Sequence, residues 1–276
     1  MSARTHSIGV FDSGFGGLSI LKDIHKRMPE YSYVYLGDTA RTPYGSRSSE
    51  IVYQFTLEAI ESLFNEGCGL IIVACNTASA EALRRIQQEY LPKHYPDRRV
   101  LGVIIPAAEQ AAHVTKNGRV GVLATEGTVR SETFIKEVQK LNKTIKVFQQ
   151  AAPLLVPFVE EGEYRSEAAR LMVAAYLKPL LKRNIDTLIL GCTHYGHLES
   201  LIKKEAGKNV RILSEGTVVA KKLEDYLQRH SELEKLLKKT GGLTFYTTDL
   251  TEKFKRVGSL LFGKPLNPKR IILGGH

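Results

Sequence analysis

Two cysteines 117 residues apart end nearly the same phrase of sequence, Leu70-Ile-Ile-Val-Ala-Cys75-Asn-Thr77 and Leu188-Ile-Leu-Gly-Cys192-Thr-His194. Each thiol closes a short aliphatic, β-branched run, too short for a buried helix, which reads as a parallel strand covered on both faces. Both sulfurs then fall at C-terminal strand ends, the edge at which open α/β sheets bind ligands. Candidate helices follow from about Ala78 and about Gly196. The positive end of a helix dipole lowers a thiol's pKa and raises its thiolate fraction. Two thiols on matching strand ends can face one carbon from opposite sides.

The echo extends further. Ile8-Gly-Val-Phe-Asp-Ser-Gly14 resembles Val120-Gly-Val-Leu-Ala-Thr-Glu-Gly127 at an offset of 112 residues. Similar segments recurring in the same order suggest a duplicated α/β chain, with two similar, mainly parallel sheets related by a pseudo-twofold axis. Any two strand–helix units look alike, so the repeat alone does not establish duplication. Strands are expected at 7–12, 32–37, 69–75, 100–104, 119–124, 145–149, 186–191, 210–213 and 243–247. The clearest breaks are Pro92 to Arg99, Gly207-Lys-Asn and Gly241-Gly242.

At 276 residues the chain can form two modest domains or one large one. No run approaches the roughly 18 apolar residues of a membrane span, and Met1 to His6 lacks an apolar signal core, so no membrane association and a cytoplasmic location are expected. Three cysteines, two of them at candidate site positions, fit a reducing compartment better than a disulfide framework. Cys68 reads as a buried bystander, and no His/Cys spacing suits zinc, so no metal is expected.

The net charge of +10 invites a nucleic-acid reading, and residues 201–276 hold 16 Lys/Arg against 8 Asp/Glu. Much of that excess lies on Thr217 to Lys239, where Val218, Val219, Leu223, Tyr226, Leu227, Leu233 and Leu236-Leu237 recur at helical spacing. The basic residues there read as the solvated face of one long helix.

Asp12-Ser13-Gly-Phe-Gly-Gly17 follows the first strand and opens a helix, but its last glycine position is Ser19, so it fails as a dinucleotide fingerprint. Its backbone N–H groups still suit a carboxylate. Asp12 is placed to orient a neighbour, move a proton or cap the helix. Thr42, Pro43, Tyr44, Gly45, Asn76, Thr77, Thr125, Thr128 and Thr193 add hydroxyl, amide and backbone donors to a small anion-friendly pocket. His194 is either structural or a proton carrier beside Cys192.

Together these residues form a resemblance. Phe11-Asp-Ser-Gly-Phe-Gly-Gly-Leu-Ser19, Gly37-Asp-Thr-Ala-Arg-Thr-Pro-Tyr-Gly45, Ala74-Cys-Asn-Thr-Ala78, Ala124-Thr-Glu-Gly-Thr128 and Gly191-Cys-Thr-His-Tyr195 resemble, in order, the motif set of the glutamate racemases. Aspartate racemases share the cysteine pair but typically carry His where this chain has Ser79 and Glu where it has His194, which favours glutamate. The resemblance implies a two-domain α/β fold with the active site in the interdomain cleft. The first domain reclaims the C-terminal segment, giving expected spans of 1–99 with 209–276, and 100–208.

The implied activity is interconversion of L- and D-glutamate by a two-base proton transfer with no cofactor, supplying D-glutamate for peptidoglycan. Cys75 would act on the D-glutamate face assisted by Asp12, and Cys192 on the L-glutamate face assisted by His194. Ser13, Pro43, Tyr44, Gly45, Asn76, Thr77 and Thr193, with Thr128, would hold substrate. A homodimer is expected. A DNA gyrase or nucleic-acid contact through the basic C-terminal region is a candidate second role. The chain departs from the family pattern at Gly196, where Pro is usual, and at Ser214-Glu215, where Asp-Ser is usual. A related acidic amino acid such as aspartate, or a cysteine hydrolase using Cys192 and His194, are the alternatives; the second leaves Cys75 unexplained.

Overall fold

The computed structural model describes residues 5–274. The chain forms β1 (Ser7–Asp12), β2 (Tyr33–Gly37), β3 (Cys68–Val73), β4 (Arg99–Gly102) and β5 (Arg119–Ala124). It continues through β6 (Lys146–Ala151), β7 (Thr187–Gly191), β8 (Arg211–Leu213), β9 (Leu243–Thr247) and β10 (Lys269–Arg270). All nine expected strands are present. The tenth consists of two exposed residues with no apolar run to announce it.

These strands build a six-stranded sheet in the order β10-β9-β2-β1-β3-β4 and a four-stranded sheet in the order β6-β5-β7-β8. Every pairing is parallel. The order β2-β1-β3-β4 recurs as β6-β5-β7-β8, the pattern a duplicated chain produces, with β1 matching β5 and β3 matching β7.

Successive strand residues point to opposite faces, and both faces are covered. On β1, Ile8 and Val10 join one apolar layer and Phe11 the other. On β7, Leu188 and Leu190 face one layer of the second sheet while Ile189 faces the other. Each fully buried aliphatic or aromatic side chain in these layers contributes about 1.5–3 kcal/mol of transfer free energy.

The crossings between sheets differ from expectation. β4 stays in the first sheet, pairing Leu70 with Arg99 through Val73 with Gly102, and β8 stays in the second, pairing Thr187 with Arg211 through Ile189 with Leu213. By sheet membership the chain therefore crosses after Gly102 and after Leu213 rather than at 99/100 and 208/209. The Pro92 to Arg99 and Gly207-Lys-Asn breaks each precede one more strand of the same sheet. Turn-forming residues mark where an element ends, and carry no information about which sheet receives the next one.

The long basic helix is also shorter than its periodicity suggests. It spans Glu215–Arg229, and a short turn at Ser231–Glu234 follows. Beyond that turn Leu237 is fully buried and bridges to His6, so the chain leaves helix to run beside the first strand. Basic residues of this region pair locally, Lys222 with Glu109, Lys239 with Glu234 and Lys253 with Glu161. No helix among the described residues is long and apolar enough to cross a membrane.

The loop after β1 approaches the second sheet so closely that a Cβ on Gly16 would lie 2.1 Å from Thr193 Oγ1 and 2.9 Å from His194 Nδ1. Gly196 has nothing within 4 Å of its would-be Cβ. Gly16→Ala should therefore lower the thermal midpoint and enlarge the radius measured by small-angle scattering as the halves separate. Gly196→Ala should raise stability by about 0.4–1 kcal/mol through the unfolded state. Equal effects from the two substitutions would contradict this packing.

Candidate active site

The C-terminal ends of β1 and β3 meet those of β5 and β7, and a set of hydrogen bonds crosses between them. Thr193 Oγ1 donates to Asp12 Oδ1 at 3.4 Å, and Asn76 Nδ2 donates to Glu215 Oε2 at 2.7 Å. Thr77 and Thr125 hydroxyls lie 2.9 Å apart, and Gly127 N donates to Gly45 O at 2.8 Å. Asp12, Ser13, Cys75, Asn76, Thr77, Thr128, Cys192, Thr193 and His194 are all buried.

Cys75 follows β3 and is itself the N-cap of the short helix Asn76–Glu81, with Ala78 N donating to Sγ at 3.5 Å. Ser13 Oγ lies 3.4 Å from the same sulfur. The expected fall in this thiol's pKa does not occur. Burial, and then the charge of Asp12, push Cys75 up to about 12, while the Ser13 and Ala78 hydrogen bonds oppose them. Negative charge on Cys192 adds to the rise, so the two sulfurs share one electrostatic environment. One short helix cannot compensate for removing a thiolate from water. Cys75 therefore rests as a thiol.

The glycine-rich loop cradles a carboxylate, and it is the loop's own. Gly14 N donates to Asp12 Oδ2 at 3.0 Å, and Gly17, the first residue of the helix Gly17–Arg27, also donates to Asp12. Burial raises the pKa of Asp12, whereas the His194 charge, these N–H groups and Thr193 pull it back. The capping and proton-handling readings of Asp12 are thus compatible.

On the other side, His194 Nδ1 lies 3.8 Å from Cys192 Sγ, and Nε2 lies 3.2 Å from Glu160 Oε1. Burial alone would lower this imidazole's pKa, but the Cys192 and Glu160 interactions outweigh it and raise it to about 10. His194 is therefore a cation through neutral pH, placed to stabilise negative charge on Cys192. The helix expected from about Gly196 begins as a 3₁₀ turn at Tyr195–Leu198 and becomes α-helical only at Glu199. Here the imidazolium supplies the positive field in place of a helix dipole. Glu160 ends the short helix Leu155–Glu160 and belongs to no recognisable motif.

Other expected residues divide. Thr77, Thr125 and Thr128 form a hydroxyl chain, with Thr125 Oγ1 donating to Thr128 Oγ1 at 3.0 Å. The Tyr44 hydroxyl is committed to Asp38 Oδ2 at 2.5 Å, which leaves backbone groups as what the Tyr44-Gly45 segment can offer. Pro43 is exposed at the rim. Ser79, whose hydroxyl donates to Val73 O at 2.8 Å, is held back against its strand. No cluster of His, Cys, Asp and Glu suited to a metal ion occurs among the described residues.

Glu215, marked in the sequence only as a departure from the family pattern, joins this group. It opens its helix, is 5% exposed, and is pushed up to about 8 by burial and by the charge of Asp12, against the Asn76 hydrogen bond. It also lines a cavity of about 200 Å³ behind Cys192 and Thr193. A larger cavity of about 1080 Å³, between Ser79, Ser131 and Val219, contains neither sulfur.

A carboxylate, an imidazole and two thiols sealed from water suit proton movement or sulfur chemistry, which makes the chain an enzyme of the acid–base or thiol class. It belongs to the Asp/Glu/hydantoin racemase family, whose sequence profile matches residues 17–223. It is 41% identical over 261 residues to a glutamate racemase of Geobacter metallireducens, covering 94% of each chain. The structure superposes on a crystal structure of glutamate racemase from Bacillus anthracis with a TM-score of 0.89 and 36% identity, covering 98% of each chain. The Francisella tularensis glutamate racemase, solved in complex with D-glutamate, gives 0.87 and 32%, again with 98% of each chain covered.

Two measurements check the electrostatics. Iodoacetamide followed by peptide mass analysis should label Cys192 first and Cys75 more slowly, with Cys68, fully buried and also pushed up to about 12, last. His194→Asn should slow only the first of these; labelling of Cys75 ahead of Cys192 would refute the assignment. Glu215, raised in the folded state, favours folding fully below its ordinary value of 4.5 and loses that contribution as pH rises to about 8. Glu215→Gln should therefore gain thermal stability relative to the parent across pH 5–8, by at most about 1.4 kcal/mol per pH unit, and the gain should level off above that window.

Proposed function

We propose that the protein interconverts L- and D-glutamate by moving the α-proton between two thiols, without a cofactor. The observation that carries this reading is that each buried sulfur has its own proton-handling partner, Asp12 and Ser13 for Cys75 and His194 for Cys192. Inverting a carbon requires a base on one face and an acid on the other. In the ligand-free enzyme Cys75 rests as a thiol, and the His194 cation lies 3.8 Å from Cys192 Sγ, where it would stabilise the negative charge that Cys192 carries when it acts as base. In the L-to-D direction Cys192, as the thiolate, removes the α-proton, and the Cys75 thiol delivers its own to the opposite face. The product is D-glutamate, and the sulfurs have exchanged protonation states, which is the starting state for the reverse direction.

The α-carbanion needs stabilisation from preorganised donors in a dry site. The Ser13, Thr77 and Thr193 hydroxyls, the Asn76 amide and backbone groups of Tyr44 and Gly45 would serve the two carboxylates, with Thr128 supporting through Thr125. Pro43 would close the rim. Aspartate is the weaker substrate because Ser79 and His194 occupy the two positions that distinguish the glutamate enzymes. The product would enter peptidoglycan synthesis. We also propose a homodimer, to be read by analytical ultracentrifugation; the local pairing of the basic C-terminal side chains gives no support to a nucleic-acid or gyrase contact.

Circular dichroism of L- or D-glutamate incubated with purified protein should decay to zero without added cofactor. The rate should be bell-shaped in pH, since one thiolate and one thiol are needed together, with an alkaline fall as His194 loses its proton near 10. Cys75→Ala and Cys192→Ala should each lower the rate by about 10²–10⁴-fold or more. Activity destroyed by hydroxylamine and restored by pyridoxal phosphate would overturn the reading.

A further inference from the structure

Asp38 takes no part in that mechanism, yet it is fully buried and stands where three strand ends of the first sheet meet. Its backbone N–H donates to Asp12 O at 3.0 Å, at the end of β1, and Thr248 N, just past β9, donates to Gly37 O at 3.1 Å, at the end of β2. Its carboxylate gathers three side-chain donors. Oδ1 accepts from Thr248 Oγ1 at 2.9 Å, and Oδ2 accepts from Arg41 Nε at 2.6 Å and from the Tyr44 hydroxyl at 2.5 Å. Arg41 also pairs with Glu58 and lies 4.0 Å over the Phe55 ring, so the cation on Asp38 is itself held in place. Hydrogen bonds to a carboxylate in such a pair are shorter and stronger than neutral ones, and they direct their donors closely.

Tyr44 is left no freedom by this arrangement. Its ring is buried between Phe11 and Phe55, with centroids 6.2 and 5.6 Å away, and burial together with the Asp38 charge raises its pKa, so the hydroxyl stays a donor. With the ring packed and the hydroxyl bound, the backbone of Tyr44-Gly45 is fixed as well. Gly45 O then accepts from Gly127 N at 2.8 Å, in the short helix Glu126–Ser131 that follows β5. A continuous path therefore runs from Thr248 in the returning C-terminal segment through Asp38, Tyr44 and Gly45 to Gly127 at the edge of the second sheet.

We propose that Asp38 is a positioning residue for substrate binding: tethered to Thr248, its carboxylate holds the Tyr44 hydroxyl and thereby sets the Tyr44-Gly45 backbone where a substrate carboxylate meets it. The C-terminal segment contributes to affinity in this way without touching the substrate. The affinity part of the proposal rests on the glutamate racemase reading; the coupling of Asp38 to Tyr44 stands on the ligand-free structure alone. Asp38→Asn leaves one acceptor oxygen for Arg41 and Tyr44 to share and turns an N–H toward Thr248, so it weakens the hold without emptying the position.

Two experiments separate these parts. In urea unfolding of the ligand-free protein, Tyr44→Phe and Asp38→Asn should each lower the midpoint, and the double variant should fall clearly less than the sum of the two shifts. Additive shifts would overturn the coupling whether or not the enzyme racemises glutamate. In steady-state kinetics Tyr44→Phe should raise KM for both enantiomers about tenfold with kcat within about threefold. Thr248→Val, which removes the tether and leaves the Tyr44 bond in place, should raise KM by about threefold. In a Tyr44→Phe background neither Asp38→Asn nor Thr248→Val should add a further change in KM. Thr248→Val keeps every carboxylate and carries both tests if Asp38→Asn does not fold. A KM unchanged in Tyr44→Phe, a fall in kcat larger than the rise in KM, or additive KM effects would overturn the positioning role.

Discussion

Exclusion of water from the meeting of four strand ends is the constraint on which the rest of the structure depends. Asp12, Cys75, Cys192, His194 and Glu215 are all buried there, and isolated buried charge costs several kcal/mol. The fold offsets that cost with fixed dipoles and paired charges: Gly14 N–H and Thr193 on Asp12, Glu160 on His194, Asn76 on Glu215. Closure this tight requires residues without side chains where the halves touch. A Cβ on Gly45 would lie 2.9 Å from Thr125 Cβ, and one on Gly127 would lie 3.0 Å from Thr77 Cγ2. Burial also sets the protonation of the site, favouring a neutral Cys75 and, through its ion partners, a charged His194.

Duplication explains how two thiols come to share one dry cleft, and divergence explains why they are not equivalent. The strand orders of the two sheets correspond, and each cysteine follows the corresponding strand, β3 or β7. Their surroundings differ in kind. Cys75 caps a helix and neighbours a carboxylate, whereas Cys192 precedes a 3₁₀ turn and neighbours an imidazolium. The two faces of a chiral carbon are likewise inequivalent once its carboxylates and ammonium are fixed, so the partners of each thiol need not match.

Much of this was legible in the sequence because parallel strands buried on both faces are written as continuous apolar runs, and β1, β3, β5 and β7 all are. The positions of Asp12, Cys75, Cys192 and His194 at strand ends followed directly. What sequence concealed was set by contacts between distant residues. Glu160 lies on a helix with no motif and reaches His194 only through the fold. Glu215 stood out as a departure from the family pattern, but its bond to Asn76 could not be read from either neighbourhood. Helical spacing from Thr217 to Lys239 continued past the point where His6 captures the chain. The thiol expectation failed for a related reason, since a helix dipole can be inferred from sequence whereas the depth of burial that outweighs it cannot.

The central claim is that each thiol serves one face of the substrate carbon. Deuterium incorporation by the single-cysteine variants tests it most directly, because exchange needs one base while racemisation needs two. In deuterium oxide, Cys75→Ala should slowly exchange the α-hydrogen of L-glutamate and leave D-glutamate untouched, and Cys192→Ala should do the reverse, with neither variant changing optical rotation. Exchange of both enantiomers by one variant, or racemisation by either at near the parent rate, would contradict the account.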